Sequence, residues 1–387
     1  MKDKLSVLII LLLIGSSYSL ISFNSQELSF ENSPNNFSFN SSNWTLSPTN
    51  GSHHGGTHLT INGDGFSSFF ETPEINPWTT TTIDNNSYTG RWTSITTDNY
   101  NNIHISYQDS INYALKYATN SGGVWSYTTV DSNLGTGHPQ SSIDVDSTGI
   151  IYISYSKTSY LMLAKSIDNG ASWTTEILQY TTSNGEWNSL HIDSNDRIHI
   201  SYYGPNGHLN YLFNGGTGWN SPVEVDGSAS PIGTHTSITT DYQGCVHISY
   251  YDNYNTDLMY ASSAEYNSNG TLSSNCGSSF TTDRVDNNGQ IGMYTSIAVD
   301  SNFNVYISYQ GNGLSVATIN ISTDIISRPW SKSIIDSEFT RDSSLGIDSN
   351  DFVHISYGSY DDPINSHIGA LKYATYDGNS WNVSTID

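Results

Sequence analysis

Basic residues are scarce in this sequence. Its 387 residues include 12 Lys and Arg against 36 Asp and Glu, which gives a formal net charge of −24. A protein that binds nucleic acid needs a basic surface to displace the counterions of the phosphate backbone. The composition therefore excludes a nucleic-acid partner.

Long hydrophobic runs are also lacking, apart from one at the N-terminus. Residues 1–4 (MKDK) precede an apolar stretch from Leu5 to Ile14, and small residues follow as far as Ser19. This pattern is typical of a secretory signal peptide, since a membrane span needs about 20 apolar residues. We predict a signal peptide over residues 1–19, with an uncleaved anchor as the alternative. The protein is then secreted, extracellular or held at the cell surface, with no transmembrane span in the mature chain.

Charged residues make up only 12% of the chain and Pro only 10 residues, whereas 27 Tyr and 32 Gly stand among abundant Ser, Thr and Asn. Such a composition favours many short β-strands. The aromatic residues supply enough apolar surface for a core, which excludes a disordered chain. Residues 20–42 differ, because they are rich in Ser and Asn, and we predict a linker there.

An internal repeat organises the rest of the chain. The tripeptide Ile-Ser-Tyr recurs about every 48 residues, with one longer interval, ending at Tyr107, Tyr155, Tyr202, Tyr250, Tyr309 and Tyr357. A turn Asp precedes each copy, at Asp98, Asp146, Asp193, Asp241, Asp300 and Asp348. Each repeat reads as four strands, a to d, with the Asp after strand a and the tripeptide in strand b. This period is typical of a propeller blade. The sequence predicts an all-β fold, a β-propeller of four-stranded blades with six clear repeats over residues 85–387.

A seventh, degenerate blade is predicted over residues 43–84. The segment from Trp78 to Asp84 resembles a strand d, and His58-Leu-Thr-Ile61 precedes it at the distance that separates strands b and d elsewhere. As an alternative, residues 47–66 are similar to the opening of an immunoglobulin-like TIG domain. In that case the propeller has six blades.

One turn carries a recognisable motif. Ser166, Asp168, Gly170 and Trp173 form Ser-x-Asp-x-Gly-x-x-Trp between strands c and d of the second repeat. The motif resembles the Asp-box of the bacterial neuraminidase (sialidase) repeat propellers. The resemblance implies a sialidase-like propeller in which this motif fastens a turn and lies remote from catalysis.

The two cysteines test the register of the fourth repeat. Cys245 opens its strand b, and Cys276 falls in its long c–d insertion. The a–b and c–d turns lie at the same end of an antiparallel blade, so the two sulfurs can approach bridging distance. We predict a disulfide, which suits an exported protein. Two free thiols are the alternative.

Histidine recurs at one place in strand b, which invites a metal interpretation. The position holds His104, His199, His247 and His354. The remaining repeats carry Tyr152 and Tyr306 there, and the copies lie on separate blades at the same depth. This indicates a packing position rather than a set of ligands. We expect no metal and no cofactor.

The residue two places before each strand-a Ser is not repeated. These mouth positions are Trp92, Gln140, Trp187, His235, Tyr294 and Asp342. They precede strand a at the mouth of the central channel, where variation at a fixed position is typical of a binding surface. We predict a ligand-binding site here for a glycan, a peptide or an extracellular protein, with further polar side chains from Arg91, Arg341, His138 and Glu186. The alternative is that these residues are wedges between blades.

Catalysis has weaker support. The sialidase resemblance implies three clustered Arg, a Tyr–Glu nucleophile pair and an Asp acid/base. Only Arg91 and Arg341 fall at the mouth, because the register places Arg197 in an a–b turn and Arg284 on an outer strand, and the Arg-Ile-Pro motif is missing. The sequence therefore indicates a binding or adhesion module rather than an enzyme. A divergent sialidase-like hydrolase and a structural cell-envelope protein without a small ligand are the alternatives.

Overall fold

A computed structural model describes residues 45–47, 60–62, 78–135, 140–180, 187–322, 329–360 and 368–387. These residues belong to two units, one from Trp78 to Asp387 and the other within Ser16–Pro77. The predicted signal peptide, the predicted linker, His138 and Glu186 lie outside the described residues, as does most of the segment that is similar to a TIG domain. In the smaller unit, β1 (Thr45–Ser47) pairs antiparallel with β2 (Thr60–Asn62).

The larger unit is an all-β propeller of six blades, each a four-stranded antiparallel sheet with its strands in chain order. The strands, blade by blade, are β3 (Thr89–Thr97), β4 (Ile103–Asp109), β5 (Ala114–Thr119) and β6 (Ser126–Asp131); β7 (Ser141–Val145), β8 (Ile151–Lys157), β9 (Tyr160–Ser166) and β10 (Thr174–Tyr180); β11 (Asn188–Ile192), β12 (Ile198–Tyr203), β13 (Leu209–Asn214) and β14 (Val223–Asp226); β15 (Ile232–Thr240), β16 (Val246–Asp252), β17 (Asp257–Tyr266) and β18 (Leu272–Asp286); β19 (Met293–Val299), β20 (Asn304–Gly311), β21 (Gly313–Asn320) and β22 (Ser331–Asp336); β23 (Phe339–Ile347), β24 (Val353–Tyr360), β25 (Ile368–Tyr376) and β26 (Trp381–Thr385). The six predicted repeats are confirmed as six blades.

Helix is almost absent from the described residues. The short 3-10 helix Pro205–Gly207 lies between β12 and β13. Within the same residues, no helix has the length and apolar character that a membrane span requires.

The core lies between the blades rather than within them. Strands a of consecutive blades contact each other in the order β3, β7, β11, β15, β19 and β23. One cluster, for example, joins Leu115 and Tyr117 of the first blade to Ile143, Ile151 and Ile153 of the second. Because both faces of strand b are covered, β4 is buried along its whole length. This explains why the sequence shows little alternation of apolar and polar residues.

The Tyr of the repeated tripeptide bonds its blade to an Asp of the preceding segment, which ends a strand d in four cases and lies outside any strand at Asp84. Its hydroxyl donates to an Asp carboxylate at 2.6 to 2.9 Å in the pairs Tyr107–Asp84, Tyr155–Asp131, Tyr250–Asp226, Tyr309–Asp286 and Tyr357–Asp336. The third blade differs, because β10 ends without an Asp. Tyr202 is buried there, and its hydroxyl has no partner among the described residues.

Two serines of each repeat also bond across the junctions. The strand-a Ser accepts a backbone N–H from strand a of the next blade at 3.0 to 3.2 Å, in the pairs Ser94–Ile143, Ser142–Leu190, Ser189–Ile238, Ser237–Ile297 and Ser296–Leu345. The Ser of the tripeptide bonds a side chain at the start of the next strand a, in the pairs Ser106–Ser141, Ser154–Asn188, Ser201–Thr236, Ser249–Thr295 and Ser308–Ser343. Small hydroxyl residues are therefore required where the blades approach each other.

The strand-b His links two neighbouring elements of its own blade. In the third blade, Nε2 of His199 lies 3.3 Å from the turn carboxylate of Asp193, and Nδ1 lies 2.8 Å from the hydroxyl of Tyr211 on strand c. Burial lowers the pKa of His199 to about 4, although Asp193 opposes this shift. A neutral ring donates to the carboxylate and accepts from the Tyr. The structure gives this position the packing role that the sequence indicates.

The fourth blade contains the predicted disulfide. Cys245 and Cys276 are bonded, with their Cα atoms 5.1 Å apart, so the pairing is confirmed. The c–d insertion extends β17 and β18 into a long hairpin, in which Ala264 pairs with Cys276. The extra residues satisfy their backbone hydrogen bonds by pairing with each other.

Tyr250→Phe and Tyr202→Phe test the bond between the blades as a matched pair. The first change leaves the buried carboxylate of Asp226 without its hydroxyl donor, and we expect the free energy of unfolding to fall by about 1–3 kcal/mol. The second removes a hydroxyl without a described partner and should change stability by less than about 0.5 kcal/mol. Urea unfolding followed by fluorescence measures both variants. Equal losses would show that the Asp partner contributes nothing.

Asp84 should make the fold sensitive to acid. Burial raises the pKa of its carboxyl, but hydrogen bonds from Asn86, Lys116 and Tyr107 together outweigh burial and hold the pKa below the usual 3.8. The stabilisation is therefore complete above about pH 4 and is lost as the pH falls through the lowered folded value. We expect Asp84→Asn to lower the free energy of unfolding near neutral pH. Its difference from the wild type should shrink below about pH 4, and a difference that stayed constant down to acid pH would refute this role.

Candidate ligand-binding site

Four of the mouth positions lie within the first half of strand a, and Gln140 and Trp187 lie directly before it. Five of the six have a left-handed backbone, with φ of 53° at Trp92, 57° at Trp187, 52° at His235, 53° at Tyr294 and 56° at Asp342. Bulky residues rarely adopt this conformation, which costs about 1–3 kcal/mol. The same conformation recurs in the a–b turns, at Asn101, Asp196, Phe303 and Asp351, so at the mouth it belongs to the shared geometry of the repeat.

A β-bulge accompanies this backbone in four blades. The register between strands a and b shifts between Arg91 and Ser94, Thr234 and Ser237, Met293 and Ser296, and Arg341 and Ser344. A bulge places an extra residue in one strand and re-aims its side chain. The variable position was predicted from the sequence but the bulge was not, although Gly90, Gly233 and Gly292, each with positive φ, lie two residues before it in three of these blades.

Three mouth residues on consecutive blades form an aromatic arc, composed of Trp187, His235 and Tyr294. The ring centres of Trp187 and His235 are 3.5 Å apart, and those of His235 and Tyr294 are 4.6 Å apart in an edge-to-face arrangement. His235 is buried, whereas the two outer rings are half-buried. The arc therefore joins three blades through side chains that the repeat does not specify.

His235 is the central member of the arc and is held in the neutral form. Burial lowers its pKa to about 3, so the ring stays uncharged at physiological pH. Its Nδ1 atom is enclosed and has no hydrogen-bond partner among the described residues. A buried polar atom without a partner is costly and calls for an explanation, such as a ligand or an ordered water.

Polar groups lie beyond Tyr294 on the sixth blade. The Asp342 side chain reaches solvent although protein surrounds it on most sides, as in the mouth of a channel. Burial raises its pKa, while Arg341 and a hydrogen bond with Tyr360 oppose the rise. The Arg341 guanidinium lies 5.3 and 5.4 Å from the ring centres of Phe339 and Tyr360. The structure thus brings a carboxyl group, a guanidinium and a phenol together beside the arc.

The first two blades contribute differently. The Gln140 side-chain oxygen accepts the backbone N–H of Trp187 at 2.9 Å, and its backbone oxygen accepts from Asn188 at 3.2 Å. Gln140 therefore has the interblade role that the sequence left open. On the first blade, Trp92 is half-buried and Arg91 is exposed.

The described residues do not form the cluster of three Arg that sialidase catalysis requires. Arg197 bonds Asp193 in an a–b turn at the opposite end, and Arg284 pairs with Asp257 at 3.1 Å on strand d. Only Arg91 and Arg341 of the described Arg side chains lie at the mouth, so a cluster of three is not formed there. The same residues contain no group of His, Cys, Asp and Glu that could hold a metal ion.

The Ser-x-Asp-x-Gly-x-x-Trp motif forms a turn at the end of the propeller opposite the mouth. Ser166 bonds Asp168 at 2.8 Å and accepts the N–H of Gly170 at 2.9 Å. Hydrogen bonds from Ser172, and then from Ser166, lower the pKa of Asp168 to about 2. Gly170 has φ of 85°, and a Cβ there would lie 2.1 Å from a ring atom of Tyr117 on the first blade.

Trp173 completes this turn by packing edge-on against the same Tyr, with ring centres 5.1 Å apart. The motif thus fastens the second blade to the first, which is a structural role.

A polar cleft of about 620 Å³ lies between the fifth and sixth blades, also at the end opposite the mouth. Asp300, Tyr306 and Asp351 contribute to its lining, and so does Pro329, which borders residues 323–328 outside the described part of the chain. Asp351 has a left-handed backbone there as part of an a–b turn, but none of the described side chains that line the cleft is buried without a hydrogen-bond partner. The mouth is therefore the stronger candidate site.

Comparisons with known proteins support the fold. No family model and no curated protein matches the chain. Among solved structures, the BP39L lectin from Burkholderia pseudomallei has a TM-score of 0.55 and 12% identity, over 75% of this chain and 82% of that one.

A mutant of the Aleuria aurantia lectin in complex with alpha-methyl-L-fucoside has a TM-score of 0.51 and 12% identity, over 76% of this chain and 94% of that one. At these identities the similarity shows the propeller fold alone. The neuraminidase and TIG similarities receive no support from a family match and stay resemblances.

Glycine substitutions test the backbone strain at the mouth. Because Gly adopts left-handed φ without penalty, Tyr294→Gly should be more stable than Tyr294→Ala by about 1 kcal/mol. At Gln140, which is not among the residues with positive φ, the order should reverse, and Gly should be less stable than Ala by about 0.5–1 kcal/mol. Chemical denaturation of the four variants gives the comparison. The same order at both positions would contradict a strained bulge.

Proposed function

We propose that the protein is a secreted, non-catalytic β-propeller that binds a glycan at the mouth of its channel. The observation that carries this proposal is the aromatic arc on a left-handed backbone, at a position before strand a where the repeat varies from blade to blade. Repeated residues hold the blades together, as the Tyr–Asp and Ser bonds show. Residues that vary on such a scaffold are those available for recognition.

The chemistry of the arc suits a sugar. Aromatic rings pack against the C–H faces of a pyranose, and a small number of fixed polar groups orient its hydroxyls. Trp187 and Tyr294 supply ring surface, while the neutral His235 contributes a polar ring between them. Asp342 and Arg341 provide an acceptor and a donor at one end. This combination resembles a carbohydrate subsite more than a purely apolar peptide pocket.

The similarity to lectins adds support to a carbohydrate ligand. The two propellers described above are lectins by name, and one of them was crystallised with alpha-methyl-L-fucoside. That similarity concerns the fold, so the assignment of a sugar to this chain depends on the mouth residues. We infer secretion from the predicted signal peptide, with which the Cys245–Cys276 disulfide agrees, because disulfides persist mainly in oxidising compartments.

Trp187→Ala tests the proposed site on a glycan array followed by calorimetry with the best glycan. We expect binding to weaken at least about tenfold, because a large buried contact surface at the centre of an interface is lost. Tyr100→Ala is the matched control, since Tyr100 is 85% exposed at an a–b turn, at the end opposite the mouth, and its loss should leave binding unchanged. If both variants bound like the wild type, the mouth would not be the site.

The same mixtures test the absence of catalysis. After prolonged incubation with the bound glycan, mass spectrometry should detect only intact ligand. Release of a monosaccharide, lost in Arg341→Ala, would instead favour a hydrolase.

A further inference from the structure

Most basic side chains at the mouth end of the propeller already have carboxylate partners. Four Lys pair with Asp carboxylates that also accept the hydroxyl of a tripeptide Tyr. The N–O distances are 2.8 to 2.9 Å in the pairs Lys116–Asp84, Lys157–Asp131, Lys332–Asp286 and Lys372–Asp336. Arg284 pairs with Asp257 at 3.1 Å. The charges of these five cations are therefore balanced within the scaffold.

The two other described cations at the mouth are Arg341 and Arg91. Arg341 directly precedes Asp342, and its charge acts on that carboxyl group by lowering its pKa against the effect of burial. The neighbouring pair thus carries no net positive charge. Arg91 is exposed on the first blade, whereas the aromatic arc lies on the third to fifth blades. The arc therefore has no uncompensated cation beside it among the described residues.

Carboxylates, by contrast, act on the arc from the sixth blade. Burial raises the pKa of Tyr294, the Asp342 carboxylate raises it further, and Arg341 opposes the rise. A carboxylate has this effect only on a phenol that lies close to it. Asp342 therefore places a negative charge near one end of the arc.

Carboxylates also lie behind the centre of the arc. The ring of Tyr251 packs edge-on against His235, with ring centres 6.1 Å apart. Burial raises the pKa of Tyr251, and the carboxylates of Asp252 and Asp257 add to the rise. The potential around the arc is thus negative on a second side.

A neutral acceptor without a donor lies at the same end of the propeller. Gln310 is almost fully buried, and its side-chain oxygen has no hydrogen-bond partner among the described residues. Since side chains alternate along a strand, Gln310 shares a face of β20 with Ser308, which bonds Ser343, the residue after Asp342. A buried oxygen of this kind calls for a donor, such as a hydroxyl group or an ordered water.

We propose that the mouth selects uncharged sugars and excludes glycans that carry a carboxylate or a sulfate at the bound end, with Asp342 as the specificity-determining residue. This inference rests on the proposed glycan site and adds the class of sugar. The hydroxyls of a neutral sugar donate to acceptors such as the Asp342 carboxylate, whereas an ionised acidic group can only accept. A second negative charge near Asp342 also meets Coulomb repulsion in a partly enclosed site.

A glycan array that carries each neutral oligosaccharide beside its sialylated and sulfated forms provides the first test. We expect the intact protein to bind its best neutral oligosaccharide at least about tenfold more tightly than either charged form. The preference should narrow as the salt concentration rises, because salt screens the repulsion. This measurement needs no variant.

Asp342→Asn provides the second test, because it removes the charge and keeps the shape of a side chain that tolerates left-handed φ. It should reduce the preference for the neutral form at least about tenfold. Asp377→Asn is the matched control, since Asp377 is exposed in a c–d turn at the end opposite the mouth. It removes the same charge from the net −24 and should leave the preference unchanged.

The outcomes separate this inference from the proposed function. Equal or tighter binding of the sialylated or sulfated forms by the wild type would overturn the selectivity, while the glycan site would stand. A wild-type preference in Asp342→Asn would overturn the role of Asp342. Absence of binding to every glycan on the array would overturn the proposed function, and this inference with it.

Discussion

The hydrogen bond from a strand-b Tyr to the Asp that ends the preceding strand d is the interaction on which the propeller depends. It joins successive segments at the mouth, where Asp carboxylates such as Asp226 and Asp286 are almost fully buried. A buried carboxylate requires donors, and Tyr supplies one while its ring fills the space between blades. Lys116 and Lys372 add ion pairs at 2.9 Å to Asp84 and Asp336. Some of the few basic residues therefore help to hold the blades together.

The repeat made much of this architecture predictable. Turn Asp residues at fixed spacing identify the a–b turns, and the conserved order of strands places Cys245 and Cys276 at the same end of one blade. The hairpin extension of β17 and β18 was not predicted, because its Ser-rich sequence resembles a loop until the partner strand is known. The left-handed backbone at Trp187 or Tyr294 was equally invisible. Such a conformation is imposed by the bulge and by neighbouring blades, against the local preference of an aromatic residue.

The repeated residues that hold the blades together and the variable mouth positions lie in different parts of each repeat. Ser, Tyr and Asp at the junctions recur because every junction has the same geometry. The mouth positions do not have to make the same bond at every junction, although Gln140 does bond the next blade. Among the described residues, ring contacts between mouth side chains are made on the third to fifth blades. The candidate site is therefore asymmetric on a nearly symmetric ring, which favours one ligand at the mouth over one ligand per blade.

The bulge at the start of strand a has a consequence for how such a protein diversifies. Trp, His, Tyr and Asp all occupy the same left-handed conformation there, although Asp and His adopt it more readily than Trp and Tyr. Substitutions among these types change the surface offered to a ligand without altering the bonds that hold the blades. The mouth can therefore be redesigned one blade at a time, at a cost in stability that depends on how well the new side chain tolerates left-handed φ.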